Sequence, residues 1–511
     1  MNPTPIKPSL EEFRQLAQKG NLIQVCTELV ADAETPVAAF QKLDDGSASF
    51  LLESAEKSEQ AGRYSFVGNQ PRLTFESRGR TIRITEEGST REFTCEDDPL
   101  RELEHLMARY RVVPSPAAGE SRFSGGAVGY LSYDMVRFFE PTIPAPPKDE
   151  LGLPEMFFLV TNTVLIFDHR TRRLRVVSNA LVENGNADAA YAHAVASIES
   201  ILARLAKPAP MAPLFADIAP PPVQPSCNTQ REEYMDMVSN GQEFIRAGDV
   251  FQFVPSQRFE TDYSGDPLTL YRSLRFVNPS PYMFCFKLGG DTERFALVGS
   301  SPEVHVRAMH GKVEIRPIAG TKRRGATEAE DEQNAAALLA DPKERAEHLM
   351  LVDLARNDVG RIAQYGTVRV TDFFTIEKYS HVMHIVSNVV GDLHPEKTAY
   401  DVMRATFPAG TVSGSPKVRA MQVINGLEKS KRGVYAGAVG YFGFDGNHDS
   451  CIALRTVVLK DGKAFVQAGA GVVADSSPES EHQECVNKAM GMMAAISRAR
   501  ACQSTPPSAQ H

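Results

Sequence analysis

The chain has 511 residues, 42% hydrophobic and 23% charged, with 64 acidic against 55 basic side chains and a formal net charge of −9. That length predicts two to three domains of roughly 150 residues each, and the acidic balance without a long basic run excludes nucleic acid as an expected partner. No signal sequence or bilayer-length apolar run is visible, and the seven scattered cysteines form no C-x-x-C pair. No membrane association, a cytoplasmic location and reduced thiols are therefore expected.

Residues 1–20 are polar and proline-punctuated, an arm leading into a helix. From Gln24 the texture changes to short alternating stretches at residues 37–40, 49–52, 73–75 and 82–84, which predict antiparallel strands. Leu100, Leu103, Leu106 and Met107 mark an amphipathic helix, residues 157–167 a strand, and residues 189–205 a second helix. Seven prolines between Lys207 and Pro225 predict an exposed connector. The expected organisation is an arm (1–20), an N-terminal domain (21–206), a linker (207–228), a C-terminal domain (229–500) and a disordered tail (501–511).

Beyond the linker, Tyr234, Val238, Gly241 and Ile245 form a helical stripe closed by Gly248. Residues 250–254 then read as a central strand. One internal echo stands out: GAVGYLSYD at residues 126–134 resembles GAVGYFGFD at residues 437–445, which predicts similar strands in both domains.

The most informative stretch is residues 341–354. Asp341 can cap a helix, Pro342 suits its first turn, and Glu344 stands three residues after the cap, so those carboxylates have structural duties. Glu347 lies beyond the first turn on a face with Met350, Leu351 and Leu354, which predicts a carboxylate directed into the protein and in need of a partner. Near the other end, Ser477 and Pro478 read as a helix start, with Glu481, Glu484 and Lys488 on one face. A solvated stripe would account for them. Gly491 and Ala495 continue the stripe, however, and point to close packing. Glu347 and Glu484 together could hold a hard divalent ion, Mg2+ first among them.

Several shorter signals accompany this pair. Gln252 is a polar side chain among apolar neighbours, for which a satisfied core amide and a ligand contact fit equally. Glu303 follows a turn-prone Ser-Pro pair, and Gly320 with Thr321 would let a ligand approach the backbone. His384, sharing a face with Ser380 and Val382, reads alone as structural. Residues 410–417 lack the glycine-to-Gly-Lys spacing of a phosphate loop, which excludes nucleotide binding there, and the H-E-x-x-H zinc pattern is absent. Gly469, Ala470 and Gly471 offer backbone N–H groups to an anion, and Arg455 could fork onto a carboxylate. Together these residues describe a site for a small polyanion with a metal.

In order along the chain, LLES at residues 51–54, NPSPYM at 278–283, PIAGT at 317–321, residues 347–358, YAG at 435–437 and GAG at 469–471 resemble the chorismate-utilising enzymes. The likeness is greatest to their anthranilate synthase component I branch, over about residues 24–500. The resemblance implies an α+β fold of packed antiparallel β-sheets flanked by helices, in two domains, the C-terminal one carrying the active site. It implies Glu347 and Glu484 as Mg2+ ligands with Glu481 in support. Gly320, Thr321, Tyr435, Arg455, Gly469, Ala470, Gly471 and Lys488 are implied as chorismate contacts. Glu303 is implied as the acid for the leaving hydroxyl, and His384 as the group moving a proton during pyruvate elimination.

Within the family, relatives that add water to the ring carry lysine at the position of Gln252. An amide cannot deprotonate water, which favours ammonia as the attacker. Relatives making aminodeoxychorismate tend to have lysine at Ala319, and alanine cannot form their covalent adduct. Anthranilate is therefore the expected product, with aminodeoxychorismate synthesis as the nearest rival and a non-catalytic tryptophan-binding regulator as another class. Glu53, Ser54, Pro281, Tyr282 and Met283 match the family's tryptophan-feedback site, beside Cys285 and His381, where aromatics are commoner. The absence of tryptophan suits a protein needed when tryptophan is scarce. With no Gly-x-Cys-x-Gly elbow in the chain, ammonia is expected from solution or from a separate glutamine amidotransferase subunit in a hetero-oligomer.

Overall fold

A computed structural model describes residues 5–54, 62–114, 121–216, 220–289, 293–379 and 382–504, with side chains as far as Cys502. Residues 1–4 of the expected arm, 217–219 of the linker, 505–511 of the tail, and Ser380 and His381 lie outside the described residues.

Two twelve-stranded sheets organise the chain. In the first, Ser49–Glu53 pairs antiparallel with Tyr282–Gly289, Leu51 opposite Cys285. In the second, Gly126–Leu131 pairs antiparallel with Ala438–Gly443, Gly129 opposite Gly440. The two echoing sequences are thus neighbours, and strands from both sides of the proline-rich segment share each sheet.

The sheets pack face to face because alternate residues of these strands are large and apolar on one side. Phe50, Phe284 and Phe286 of the first sheet join Val128, Tyr130 and Tyr441 of the second in one buried cluster. The outer face of the first sheet is covered by the helices Ala187–Leu205, Arg231–Arg246, Pro267–Val277 and Pro478–Ser504. The outer face of the second carries Pro99–Met107, Ala399–Thr406 and Lys417–Leu427, with Pro342–Gly360 packed through Val352, Ala355 and Val359. This is the expected α+β class. Among the described residues no helix is long and apolar enough to cross a membrane.

Local chemistry overrules pattern at three places. Residues 37–40 are helical, within Pro36–Lys42, because the Thr35 hydroxyl accepts from the Ala38 N–H at 3.1 Å and Pro36 occupies the first turn. Residues 157–167 divide into Met156–Val160 and Thr163–Asp168, in different sheets. Residues 250–254 contribute only the two-residue strand Gln252–Phe253, which pairs with Gly414–Ser415 apart from both large sheets.

The strands flanking this pairing come close at glycine. A Cβ on Gly129 would stand 1.9 Å from the Phe157 carbonyl oxygen, and one on Gly440 2.1 Å from that of Asp449. Gly129→Val should therefore destabilise the protein by about 3 kcal/mol, read as a lower urea midpoint. An unchanged midpoint would contradict this close approach of the strands.

Candidate active site

The candidate residues converge on a cleft between the Pro342–Gly360 and Pro478–Ser504 helices and the loops at the strand ends. Asp341 caps the first of these helices, accepting from the N–H groups of Lys343 at 2.9 Å and Glu344 at 3.2 Å, with Pro342 following. Glu347 is half-buried rather than enclosed, and Gln252 Nε2 donates to its Oε1 at 3.3 Å. Gln252 in turn abuts Gly471, where a Cβ would come within 2.8 Å of Nε2. The buried amide is thus satisfied by a site carboxylate.

Glu344 does more than serve the cap. Its Oε2 would be 2.9 Å from a Cβ on Gly320, whose φ of 66° also favours glycine. Burial raises the Glu344 carboxyl pKa, and the negative charges of Glu347, Asp341 and Glu484 add to the rise. On the facing helix, burial likewise raises Glu481, with Glu484 contributing. The sequence signal for Glu344 was available, since it stands three residues before Glu347 on the same face.

Lys488 pairs with Glu484 at 2.7 Å and donates to the Gly469 carbonyl at 3.1 Å. Glu484 and Lys488 are exposed to the cleft, and the stripe is not close-packed at Gly491, where a Cβ would meet nothing within 4 Å. Gly469 lies against Tyr435, whose hydroxyl would be 2.8 Å from a Cβ there. Tyr435 and Tyr133 sandwich the Arg432 guanidinium, centroids at 5.6 and 4.5 Å, and Arg432 is paired with Glu428 inside the protein at 2.6 Å. Arg432 escaped sequence reasoning because nothing local marks a buried pair.

His384 stands on Val382–Asp392, next to Ile318–Arg323. Its Nδ1 is 2.9 Å from the Gly320 carbonyl oxygen and 3.1 Å from Thr321 Oγ1. A carbonyl only accepts, so Nδ1 carries the proton and Nε2 keeps its lone pair. Burial lowers the His384 pKa, opposed by that carbonyl bond.

Glu303, between the strands Arg294–Ser301 and Val304–Met309, borders a recess of ≈ 390 Å³, measured with the solvent at its mouth. Desolvation pushes its carboxyl up to about 7, against the pull of the Thr411 hydroxyl, Lys488 and Arg455. Thr411 Oγ1 is enclosed without a hydrogen-bond partner of ordinary geometry. Arg455 takes φ 47° and is exposed; partial desolvation lowers its pKa against the opposing pull of Glu303.

The family of chorismate binding enzymes matches residues 48–494. The chain is 45% identical over 497 residues to anthranilate synthase component 1 of Acetivibrio thermocellus, covering 96% of this chain and 99% of that protein. It is 46% identical to the Aquifex aeolicus protein of the same name, with 97% and 99% covered. The crystal structure of anthranilate synthase component I from Streptococcus pneumoniae superposes with a TM-score of 0.73 at 37% identity, over 91% of this chain and 98% of that one. The chain belongs to the anthranilate synthase component 1 family. It is an enzyme acting on chorismate.

The residues matched to the family's inhibitor site also meet. Met283 pairs with Glu53 across strands, which brings Ser54 alongside Tyr282. Glu53 is buried and accepts from the Tyr271 hydroxyl at 2.5 Å, with Arg275 at 3.6 Å. The Tyr282 hydroxyl donates to Asp449 at 2.8 Å and accepts from Arg307. Ser54 Oγ is enclosed without a partner among the described residues, and Pro281, next to Tyr282 in sequence, is half-buried.

Glu303 makes stability depend on pH. Its folded pKa of about 7 stands above the ordinary 4.5, so the native state binds more protons between those values and stability falls as pH rises through that window. Glu303→Gln removes this slope. Its melting temperature should gain on wild type from pH 4.5 to 7 and hold the gain above; a pH-independent difference would contradict the raised carboxyl.

Proposed function

We propose that this chain is the chorismate-binding component of an anthranilate synthase, adding ammonia at C2 with loss of the C4 hydroxyl and then eliminating pyruvate. The observation that carries the choice of nucleophile is Gln252, a buried amide whose Nε2 reaches Glu347. An amide has no lone pair basic enough to activate water, whereas ammonia needs no activation. Ala319, buried where it pairs with Ile385, offers no amine for a covalent intermediate.

The remaining residues take roles that their surroundings support. Arg455, Lys488 and the backbone N–H groups of Gly469 and Gly471 offset the two carboxylates, the Ala470 N–H being donated instead to the Pro255 carbonyl at 3.3 Å, and Gly320, Thr321 and Tyr435 bound the ring. Glu303, with its carboxyl pKa near 7, keeps a proton for the departing hydroxyl. His384, neutral and bare at Nε2, takes the C2 proton as pyruvate leaves.

Glu347 and Glu484, with Glu481 and Glu344 in support, would hold Mg2+. Among the described residues no three such groups are already drawn together tightly enough to hold an ion. Their all-oxygen chemistry, and the negative charge that Glu347 and Glu484 place on Glu344, nevertheless fit a hard cation. When bound, Mg2+ supplies positive charge to the ring carboxylate.

A separate glutamine amidotransferase subunit would deliver ammonia in a hetero-oligomer, as the designation component 1 in the relatives implies. L-Tryptophan would bind at Glu53, Ser54, Pro281, Tyr282 and Met283, where the Ser54 hydroxyl awaits a partner. Seven free cysteines accord with the cytoplasm.

Incubation with chorismate, ammonium and Mg2+ should yield anthranilate fluorescence and pyruvate. At fixed free ammonia, kcat/KM for chorismate should fall as pH rises through about 7, as Glu303 loses its proton. Accumulation of a non-fluorescent aminated ring without pyruvate would favour aminodeoxychorismate synthesis, and no consumption of chorismate would refute the enzyme reading of this site. Ser54→Phe should retain this activity and lose inhibition by tryptophan; an unchanged inhibition curve would remove the assignment of the pocket.

A further inference from the structure

His348, directly after Glu347, is fully buried. Its Nε2 lies 2.7 Å from Ser387 Oγ, and Ser387, equally buried, stands three residues beyond His384 on Val382–Asp392. The same hydroxyl accepts from the Phe374 N–H at 3.1 Å. Phe374 takes φ 56° where the strand Arg369–Lys378 slips register against Val382–Asp392. Its ring meets His348 edge-on at 4.8 Å and lies under the Arg345 guanidinium at 4.9 Å.

Packing does not ask for an imidazole here. Nδ1 is enclosed without a partner among the described residues, a cost of about 1–3 kcal/mol that an apolar side chain of similar size would avoid. What the imidazole adds is direction. Successive helical residues project about 100° apart, so pinning His348 to the sheet fixes the rotation of the helix and with it the aim of Glu347 toward Gln252.

We propose that His348 and Ser387 are positioning residues, and that their hydrogen bond is a cross-tie setting Glu347 relative to His384. The bond joins the helix bearing the carboxylate to the strand bearing the base, without either partner touching substrate. Loosening it lets Glu347 swing while the hydrophobic contacts of Val352, Ala355 and Val359 keep the helix docked. The inference rests on Glu347 acting as a metal ligand.

The test uses full-length Ser387→Ala, His348→Leu and His348→Gln, the last placing an amide nitrogen near the Nε2 position. Mg2+ affinity by calorimetry without chorismate, kcat and KM for chorismate, and melting temperature are measured on each. Ser387→Ala and His348→Leu should weaken Mg2+ about tenfold, as loss of outer-shell partners does, and lower kcat more than they raise KM. His348→Gln should stay within about threefold of wild type on the same scale. Melting temperatures should not follow that order, since leucine removes the unsatisfied Nδ1. Ser387→Ala and His348→Leu proteins that keep wild-type Mg2+ affinity and kcat would overturn the cross-tie. A Glu347→Gln protein with wild-type Mg2+ affinity would refute the ligand role itself. In that case the split between kcat and KM across the three variants still decides whether the bond positions the site.

Discussion

Four carboxylates from two helices face one cleft: Glu344 and Glu347 on one side, Glu481 and Glu484 on the other. The charges that reach them most directly are the lysines Lys343 and Lys488. This excess negative charge is the constraint on which the site depends. Left to themselves the helices would move apart or the carboxyls would take up protons; burial raises the pKa values of Glu344 and Glu481, and the neighbouring carboxylates add to the rise. The surrounding structure holds them in place. Asp341 fixes the start of one helix, and Met492, Met493 and Ile496 bury the far end of the other against the first sheet. A dianionic substrate can approach such a surface only with cations beside it, the role proposed for Arg455, Lys488 and a divalent ion.

The shared sheets bring the residues proposed to bind tryptophan close to those proposed for the chemistry. Tyr282 and Met283 pair directly with Ser301 and Ser300. Ser300 donates its N–H to the Arg455 carbonyl at 3.1 Å, and its hydroxyl engages Asn278 at the start of the NPSPYM stretch. The Ser301 hydroxyl is 3.3 Å from both the backbone N–H and the carbonyl of Glu303. A ligand that shifted Tyr282 would pull on a strand that ends beside the candidate acid and is hydrogen-bonded to the backbone carbonyl of Arg455. One strand separates the two sites, so no long relay is required to couple them.

Much of this was legible because it is local. The cap and first-turn proline of residues 341–342, the periodicity around Glu347, and the helix begun at Pro478 follow from near neighbours in sequence. What escaped the sequence is the register between distant strands. The echo of residues 126–134 in 437–445 was visible, yet nothing in either copy says that they pair with each other. The run around Gln252 read as a central strand because four apolar residues surround it. Gly414, at φ 132°, lets a two-residue bridge form instead. Glu344 was assigned to capping alone, although its side chain reaches Gly320. Glu428 and Arg432 are only four residues apart, but the burial of their pair, like the enclosure of the Thr411 hydroxyl, depends on packing between segments far apart in the chain.

The same registers bear on the proposed role of Gln252 in the choice of nucleophile. Its short strand is held on one side by Gly414–Ser415 and on the other by a bridge from Phe253 to Val472. Its amide is thereby pressed between Gly471 and Glu347, too confined to turn away. A lysine in this place would set an ammonium against Glu347, and that pairing would favour the charged form and weaken it as a base. To activate water it would need a different balance of charge, with the carboxylate drawn off by a metal. A glutamine makes no such demand. It donates one hydrogen bond, remains neutral throughout, and leaves the nucleophile to arrive already reactive.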